Sequence, residues 1–578
     1  MPPFQRTVEV ALRGGVLVLL VAAVAAAAYG IPKAARAAAP LPFRSSKAAV
    51  VSDHPHASAA GLALLRSGGN AVDAACATAL ALGVVNPASS GIGGGGFAVV
   101  YLTKERRVFA LDFRERAPAA ATPGMFVRDG KADPALSAAG GRAVAVPGEV
   151  RGLGEMVRRW GARPFRDCVG PAQRLARSGA PVSWRVADEM TAWSRFLPGG
   201  RPLPEGALMR RPDLAGTLGK LLRFGPDAFY TGAIADDIVK AVRDAGGVLT
   251  HQDLARYTAT DRAPLETAYR GLRVYSMPPP SSGGIAVSEV LGSLAALAAR
   301  GHDLGKLGRG SSAHLHVVAE SFKHAFADRA RHLGDADFVP VPTAHLTGAA
   351  YHRDLAARIV PDRVLPRESY GTPEAGDAGD AGAQPAKGGG TSHLSVIDAD
   401  GNAVALTTTI NLSFGAKLVA GKTGIILNDE MDDFSLQPGV PNAFGLIGND
   451  ENAVAPGKRP LSSMTPTLVL EGDRVKIAVG AAGGPKIITA TAQILLNVID
   501  FKLDAMAANA APRIHHQWIP EVLSLEADVP QDVVAALERR GHRTKVVPRL
   551  ATANLLVRTE RGLEAAADPR GAGAVAGY

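Results

Sequence analysis

The chain has 578 residues, 47% hydrophobic and 20% charged, with a formal charge of +9 and two cysteines. This length and apolar content support a large buried core and exceed one small domain. The modest positive excess forms no basic stripe with interleaved aromatics, which argues against nucleic-acid binding, and Cys76 and Cys168 are too few for a disulfide framework.

Arg6 and Arg13 precede an apolar run at residues 16–25, and small residues follow up to Ala35-Arg36-Ala37. The pattern predicts an export signal over residues 1–37, removed there, with the mature chain periplasmic or secreted. The run is short for a membrane-spanning helix. The alternative is an uncleaved N-terminal anchor, because Lys33 and Arg36 come late for a signal. Residues 1–37 carry four basic residues against one acidic one, so removal leaves a charge near +6.

Residues 47–52 predict a strand. Helical patterning over residues 58–65 stops at Gly68-Gly69, a C-cap signal. Asn70 with Asp73 opens a second helix, residues 71–84, which carries Cys76 in an apolar run. A glycine-rich stretch from Gly91 to Gly96 leads into a strand at 97–102, and a further strand at 108–113 ends at Arg114. Residues 147–299 read as mostly helical, with one Pro-rich break at Pro278 to Gly284. Strands return after Thr391, and a helix spans 487–499. This order predicts a layered α+β protein with helices over stacked sheets.

Residues 371–390 are mostly Gly, Ala, Pro, Asp and Lys without apolar period, and they end at Gly390-Thr391-Ser392-His393. A flexible segment meeting a buried hairpin at Gly-Thr suits a self-cleaving precursor. Breaking the Gly390–Thr391 bond gives Thr391 a free amine beside its own hydroxyl, a nucleophile that carries its base. The hairpin turns at residues 399–402. Centring it on Asp400-Gly401 pairs Ser392 with Thr409 and Thr391 with Ile410, which brings the Thr409 hydroxyl close to Thr391. Thr is also simply a good strand residue.

Further along, a strand runs into Gly483-Gly484-Pro485, with Pro at the first helical position. The N–H groups of Gly483 and Gly484 would point at an anion, as an oxyanion hole requires. An ordinary tight turn is the commoner meaning of a lone Gly-Gly. Asn428 to Phe434 is an acidic run after an expected strand at 424–427, and its carboxylates suit an ammonium group. Arg114 either forks a carboxylate or pairs with Glu115 at the surface. The run at Gly91 lacks the Lys-Ser/Thr of a phosphate loop, and no His-Glu-x-x-His or Gly-x-Ser-x-Gly occurs. His314 and His316 diverge on a helix, so no metal and no cofactor is expected.

Together these segments resemble the γ-glutamyltransferase family of glutathione hydrolase proenzymes, members of the N-terminal-nucleophile hydrolases, from about Ala48 onward. The resemblance rests on Gly68 to Ala75, Gly93-Gly94-Gly95-Gly96-Phe97, Asp112-Phe113-Arg114-Glu115 and Met277 to Gly284. It continues through Gly390 to His393, Asn428 to Phe434, Arg459-Pro460-Leu461-Ser462-Ser463-Met464 and Gly483-Gly484-Pro485. It implies an αββα sandwich, two antiparallel sheets between helical layers, formed jointly by a large subunit, 38–390, and a small one, 391–578, as a heterodimer. Thr391 would be both cleavage residue and nucleophile, forming a γ-glutamyl ester, with Thr409 orienting it and Gly483 and Gly484 holding the oxyanion. Arg114, Ser462 and Ser463 would take the donor's α-carboxylate, and Asn411, Glu430 and Asp433 its α-ammonium. Water would release glutamate; an amino acid or dipeptide acceptor would give transpeptidation.

Three departures stand out. Ser392 replaces the second Thr common after the nucleophile. Glu430 stands where many bacterial relatives have Gln. Phe444 replaces Tyr in the stretch resembling the lid loop, residues 438–449, and cannot donate a hydroxyl hydrogen bond. The rival readings are a cephalosporin or glutaryl acylase, a poly-γ-glutamate depolymerase, and an inactive tethered binding protein.

Overall fold

Two seven-stranded antiparallel sheets lie at the centre of the computed structural model, which describes residues 41–371 and 389–578. The first sheet runs Ala574–Gly577, Ala49–Ser52, Gly389–Ile397, Ala403–Leu412, Gly95–Leu102, Arg107–Phe113, Thr260–Arg262. The second runs Phe43–Ser45, Gly562–Ala567, Thr552–Thr559, Arg474–Ala482, Thr467–Glu471, Leu272–Ser276, Leu265–Tyr269. Strands from before and after Gly390 interleave in both sheets.

Alternation along each strand sets the layers, since successive side chains leave opposite faces. Val99, Tyr101, Ile397, Ala403 and Ala405 of the first sheet meet Leu468, Leu470, Ala478 and Leu556 of the second. Residues of the other parity, including Val100, Leu394, Val396 and Leu406, pack under helices Pro55–Arg66, Ala71–Val85 and Glu149–Trp160. On the far side Val469, Ile477, Val479 and Leu555 pack under helices Gly283–Ala299, Ser312–His332 and Lys486–Ile499. Each fully buried Val, Leu or Ile contributes about 1.5–3 kcal/mol, so both faces of both sheets are committed to the core. The result is the expected αββα sandwich.

Asn70 and Asp73 open the helix as expected and do so as a capping box: Asn70 Oδ1 accepts from Asp73 N–H at 3.2 Å, and Asp73 Oδ2 accepts from Asn70 N–H at 2.9 Å. Cys76 and Cys168 are both free and buried. Among the described residues no helix is long and apolar enough to cross a membrane. The expected signal at 1–37 lies outside the described residues, as does most of the segment before Gly390.

Three expectations need correction. The 147–299 block is not mainly helical throughout, because Thr260–Arg262, Leu265–Tyr269 and Leu272–Ser276 are strands. Residues 424–427 form no strand; only Ile426 bridges, to Val419, because the chain here crosses the glycine loop rather than a sheet edge. The Thr391 hairpin is shifted by one residue. Ile397 pairs with Ala403 and Thr391 pairs directly with Thr409; a bulge then restores the expected register at Gly390 and Asn411. Bulges of this kind insert one residue, here Ile410, and re-aim the strand.

Candidate active site

Thr391, His393, Thr407 and Thr409 share the parity of Ile397 and Ala405, so they face the second sheet. The Thr391 and Thr409 hydroxyl oxygens are 3.1 Å apart. Thr409 Oγ1 donates to the Gly390 carbonyl at 2.9 Å and accepts from Asn411 N–H at 2.9 Å. Thr391 is 5% exposed, so its hydroxyl is screened from bulk water. His393 braces the next turn of the strand: its ring nitrogens lie 2.8 Å from Thr407 Oγ1 and 3.1 Å from Ser395 Oγ. The ring fills the space beside Gly480, where any Cβ would overlap it.

The glycine loop explains its own composition. A Cβ on Gly94 would overlap the Thr409 carbonyl, and one on Gly93 the Ile426 carbonyl. The loop therefore presses on the Thr391 hairpin rather than on a phosphate. Gly483 and Gly484 follow the strand Arg474–Ala482, both at positive φ, 142° and 60°. Among the described residues neither of their N–H groups has an acceptor. Gly389 lies against them: a Cβ on it would stand 3.5 Å from Gly484 N. The chain before the Thr391 bond thus crosses the two free donors.

Arg114 is buried, not at the surface. Its Nη2 donates to Asp433 Oδ2 at 2.5 Å, its Nη1 to Glu430 Oε1, and its Nε to the Pro460 carbonyl at 3.2 Å. Glu115 Oε2 is 3.8 Å from the same Nη1. Burial pulls the Arg114 pKa down, but Glu430, Asp433 and Glu115 outweigh it and hold the group charged. The expected carboxylate reader and ammonium readers are therefore in direct contact. Burial pushes Glu430 and Asp433 above the usual carboxylate range, and Glu115 up to about 8.

Asn428 fixes the acidic turn to the glycine loop: its Nδ2 donates to Gly93 O at 2.8 Å, and its Oδ1 accepts from Glu430 N–H at 3.0 Å. Asn411 takes φ 74°, which Asn tolerates, and its Nδ2 donates to the Asp429 carbonyl at 3.0 Å. Ser462 and Ser463 are buried, and Ser462 Oγ accepts from Met464 N–H at 3.1 Å. The Pro-rich segment supports them. Ser462 N–H donates to Pro280 O at 2.8 Å, and Ser282 Oγ to Ser462 O at 2.7 Å. Phe444 packs on Gly484, where any Cβ would meet its ring at 2.7 Å.

Sequence reasoning missed Arg329, which donates from Nε to Ser282 Oγ at 3.1 Å. Burial lowers its pKa to about 10, while Asp433 raises it and Arg114 lowers it. It is a second cation within reach of Asp433. The only local signal was its place in the helix Ser312–His332.

Thr408, on the outer face, donates to Glu149 Oε2 at 2.7 Å. Burial pushes Glu149 up to about 8 from 4.5. The folded state keeps this proton while the unfolded state loses it, so stability falls as pH rises from about 4.5 to about 8. The Glu149→Gln variant keeps an acceptor for Thr408 and removes the titration. Its Tm relative to wild type is expected to rise steadily between about pH 5 and pH 8; a pH-independent difference would refute the assignment.

Among the described residues one group has metal-ligand spacing, His316, Glu320 and His542, with ligand atoms within 4.8 Å. His316 Nδ1 is 2.8 Å from His542 Nε2 and its Nε2 is 2.8 Å from Val360 O, while Lys323 Nζ donates to Glu320 Oε1 at 3.1 Å. These partners account for the group as a buried hydrogen-bonded network.

The family profile for gamma-glutamyltranspeptidase matches residues 57–578. The glutathione hydrolase proenzyme of Escherichia coli (strain K12) is 40% identical over 543 residues, covering 92% of this chain and 91% of that protein. Glutathione hydrolase 2 of Arabidopsis thaliana is 38% identical, covering 92% and 93%. Among solved structures, a cephalosporin acylase from Bacillus halodurans superimposes with a TM-score of 0.79 at 27% identity, covering 95% of this chain and 98% of that one. The gamma-glutamyltranspeptidase of Helicobacter pylori gives a TM-score of 0.52 at 38% identity, covering 57% and 94%. On a match across nearly its whole length, with the sandwich that its solved relatives share, this chain is a member of the gamma-glutamyltranspeptidase family.

Proposed function

We propose that the protein is an exported, self-processing γ-glutamyltransferase that cleaves γ-glutamyl amides such as glutathione. The observation that carries this reading is the Thr391–Thr409–Gly390 contact beside a buried Arg114–Glu430–Asp433 cluster. Thr391 Oγ1 attacks the Gly390 carbonyl carbon, whose oxygen already accepts from Thr409. The C–N bond breaks, the Thr391 nitrogen takes a proton, and water hydrolyses the resulting ester. This frees the Gly390 carboxylate and the Thr391 hydroxyl, leaving a large and a small chain that remain together through their shared sheets.

In turnover the Thr391 α-amine, with an ordinary pKa of about 7.7–8.0, accepts the hydroxyl proton and returns it to the leaving amine. The hydroxyl oxygen bonds to the γ-carbonyl carbon, and the Gly483 and Gly484 N–H groups receive the developing oxyanion. Water or an amino acid or dipeptide amine then displaces the ester. Arg114, with Ser462 and Ser463, takes the donor's α-carboxylate. Glu430, Asp433 and Asn411 take its α-ammonium. The donor's two charges insert between groups that otherwise neutralise one another, and Phe444 covers the oxyanion loop. No cofactor enters any step.

The first test is release of nitroaniline from L-γ-glutamyl-p-nitroanilide, with and without glycylglycine. Release that the dipeptide accelerates supports transfer. No release from a two-chain protein would reject γ-glutamyl donors in favour of an acylase or polymer substrate. The resemblance to a cephalosporin acylase makes the ammonium the discriminating feature. Asp433→Ala is expected to weaken donors bearing a free α-amine about tenfold or more relative to glutaryl donors, the scale of one lost charge-assisted hydrogen bond. An equal loss for both donors rejects the ammonium role.

A further inference from the structure

Arg211 is a deeply buried guanidinium with no acid beside it. It is 4% exposed and immediately precedes the helix Pro212–Phe224. Nη1 donates to the carbonyls of Gly83 at 2.6 Å and Val84 at 3.5 Å, and Nη2 to Gly424 O at 2.8 Å. Gly83 and Val84 lie in the last turn of the helix Ala71–Val85, whose dipole supplies roughly half a negative charge. The guanidinium also lies over the Phe196 ring, 5.2 Å from its centroid, but meets no carboxylate: burial lowers its pKa to about 9, and no charged neighbour offsets this. Its Nε has no hydrogen-bond partner.

Arg211 borders a small cavity of about 10 Å³, lined also by Leu80, Val84, Ser90, Gly91 and Ile92. That is room for about one water-sized particle. Among the described residues the N–H groups of Gly91 and Ile92 have no acceptor either. Ser90 Oγ is engaged with Ser392 Oγ at 3.3 Å. The cavity residues thus hold three unsatisfied donors and no carboxylate. A water must donate two hydrogens as well as accept, and apart from Ser90 and Arg211 the side chains around it are aliphatic, which leaves the Ser90 oxygen as the one side-chain acceptor. A monatomic anion only accepts, and it supplies the missing charge. Phosphate and carboxylate ligands are too large for one particle's space.

We propose that this cavity is a halide site, filled by chloride and held by Arg211 Nε–H with the free backbone N–H groups of Gly91 and Ile92. The ion braces the loop that carries Ser90 and Gly94. That loop contacts the nucleophile hairpin twice, through Ser90 on Ser392 and through Gly94 on the Thr409 carbonyl. The site is independent of the reaction assigned to Thr391.

The test uses the full chain in chloride, bromide or gluconate at constant ionic strength. Wild type is expected to show a saturable Tm rise of about 1–2 °C in chloride and bromide over gluconate. Arg211→Gln is expected to lose that difference. A crystal grown in bromide is expected to show an anomalous peak in the cavity beside Arg211, a readout that needs no variant. A cavity holding only water, bromide found only as an adventitious surface ion, or a halide-specific shift that persists in Arg211→Gln each overturns the proposal.

Discussion

Thr391→Ala is expected to yield a single full-length band on a denaturing gel and to release nitroaniline at least about 10⁴-fold more slowly than wild type. The Thr391 and Thr409 hydroxyls are 3.1 Å apart, and Thr409 also reaches the Gly390 carbonyl at 2.9 Å. Alanine keeps the strand, the Thr409 contact to Gly390 and the free Gly483 and Gly484 donors, but it removes the one atom that can attack. Cleavage then fails, no α-amine is released, and both the nucleophile and its base are lost together. Thr391→Ser restores a hydroxyl and is expected to recover processing. Thr409→Ala leaves the attacking atom but removes the donor to the Gly390 oxygen, so processing should slow rather than stop, by about 10²–10³-fold if that contact acts as an oxyanion donor does. A Thr391→Ala chain that still appears as two bands would sink the mechanism, because cleavage would then need an outside protease.

How much of this was legible in the sequence depends on whether the signal was local. The helix start at Asn70 and Asp73 is legible because its signal uses residues three apart. The turn residues mark the hairpin at Thr391, but centring it on Asp400-Gly401 displaces the register by one, because the loop closes symmetrically about Asp400, with Asp398 N–H on the Asn402 carbonyl, and the bulge at Ile410 compensates only beyond Thr391. The strands at 265–269 and 272–276 did carry a signal: Arg270-Gly271 is a two-residue turn with φ of 50° and 81°, the hairpin conformation that Gly favours. Helices flank it on both sides, and their patterning masks it. The surroundings of Arg114 were not legible at all. Its partners lie 316 and 319 residues away, so nothing local separates a buried three-acid cluster from a surface pair with Glu115. Arg329 and the reason for Gly480, the His393 ring, are equally non-local. The family resemblance supplies candidate site residues, while their mutual contacts are visible only in the fold.

Those contacts set the second large effect. Arg114→Ala is expected to raise KM for γ-glutamyl donors about 10²-fold or more and to lower Tm. Removing one member of a buried charge network costs about 3–5 kcal/mol, because the charges left behind keep their desolvation penalty without a partner. Here Glu430, Asp433 and Glu115 would lose their shared cation, with Arg329 left in reach of Asp433. Two consequences must be separated. Substituting Glu430→Gln in the Arg114→Ala background removes one orphaned acid and should return part of the Tm. It should not return KM, because the donor's carboxylate still lacks the fork that binds it. Arg114→Lys should likewise fail to restore KM, since one ammonium cannot serve Glu430, Asp433 and a substrate carboxylate with the planar geometry of a guanidinium. An Arg114→Ala protein with lowered Tm but unchanged KM would make Arg114 a structural ion only, and would place the carboxylate reader on Arg329 instead.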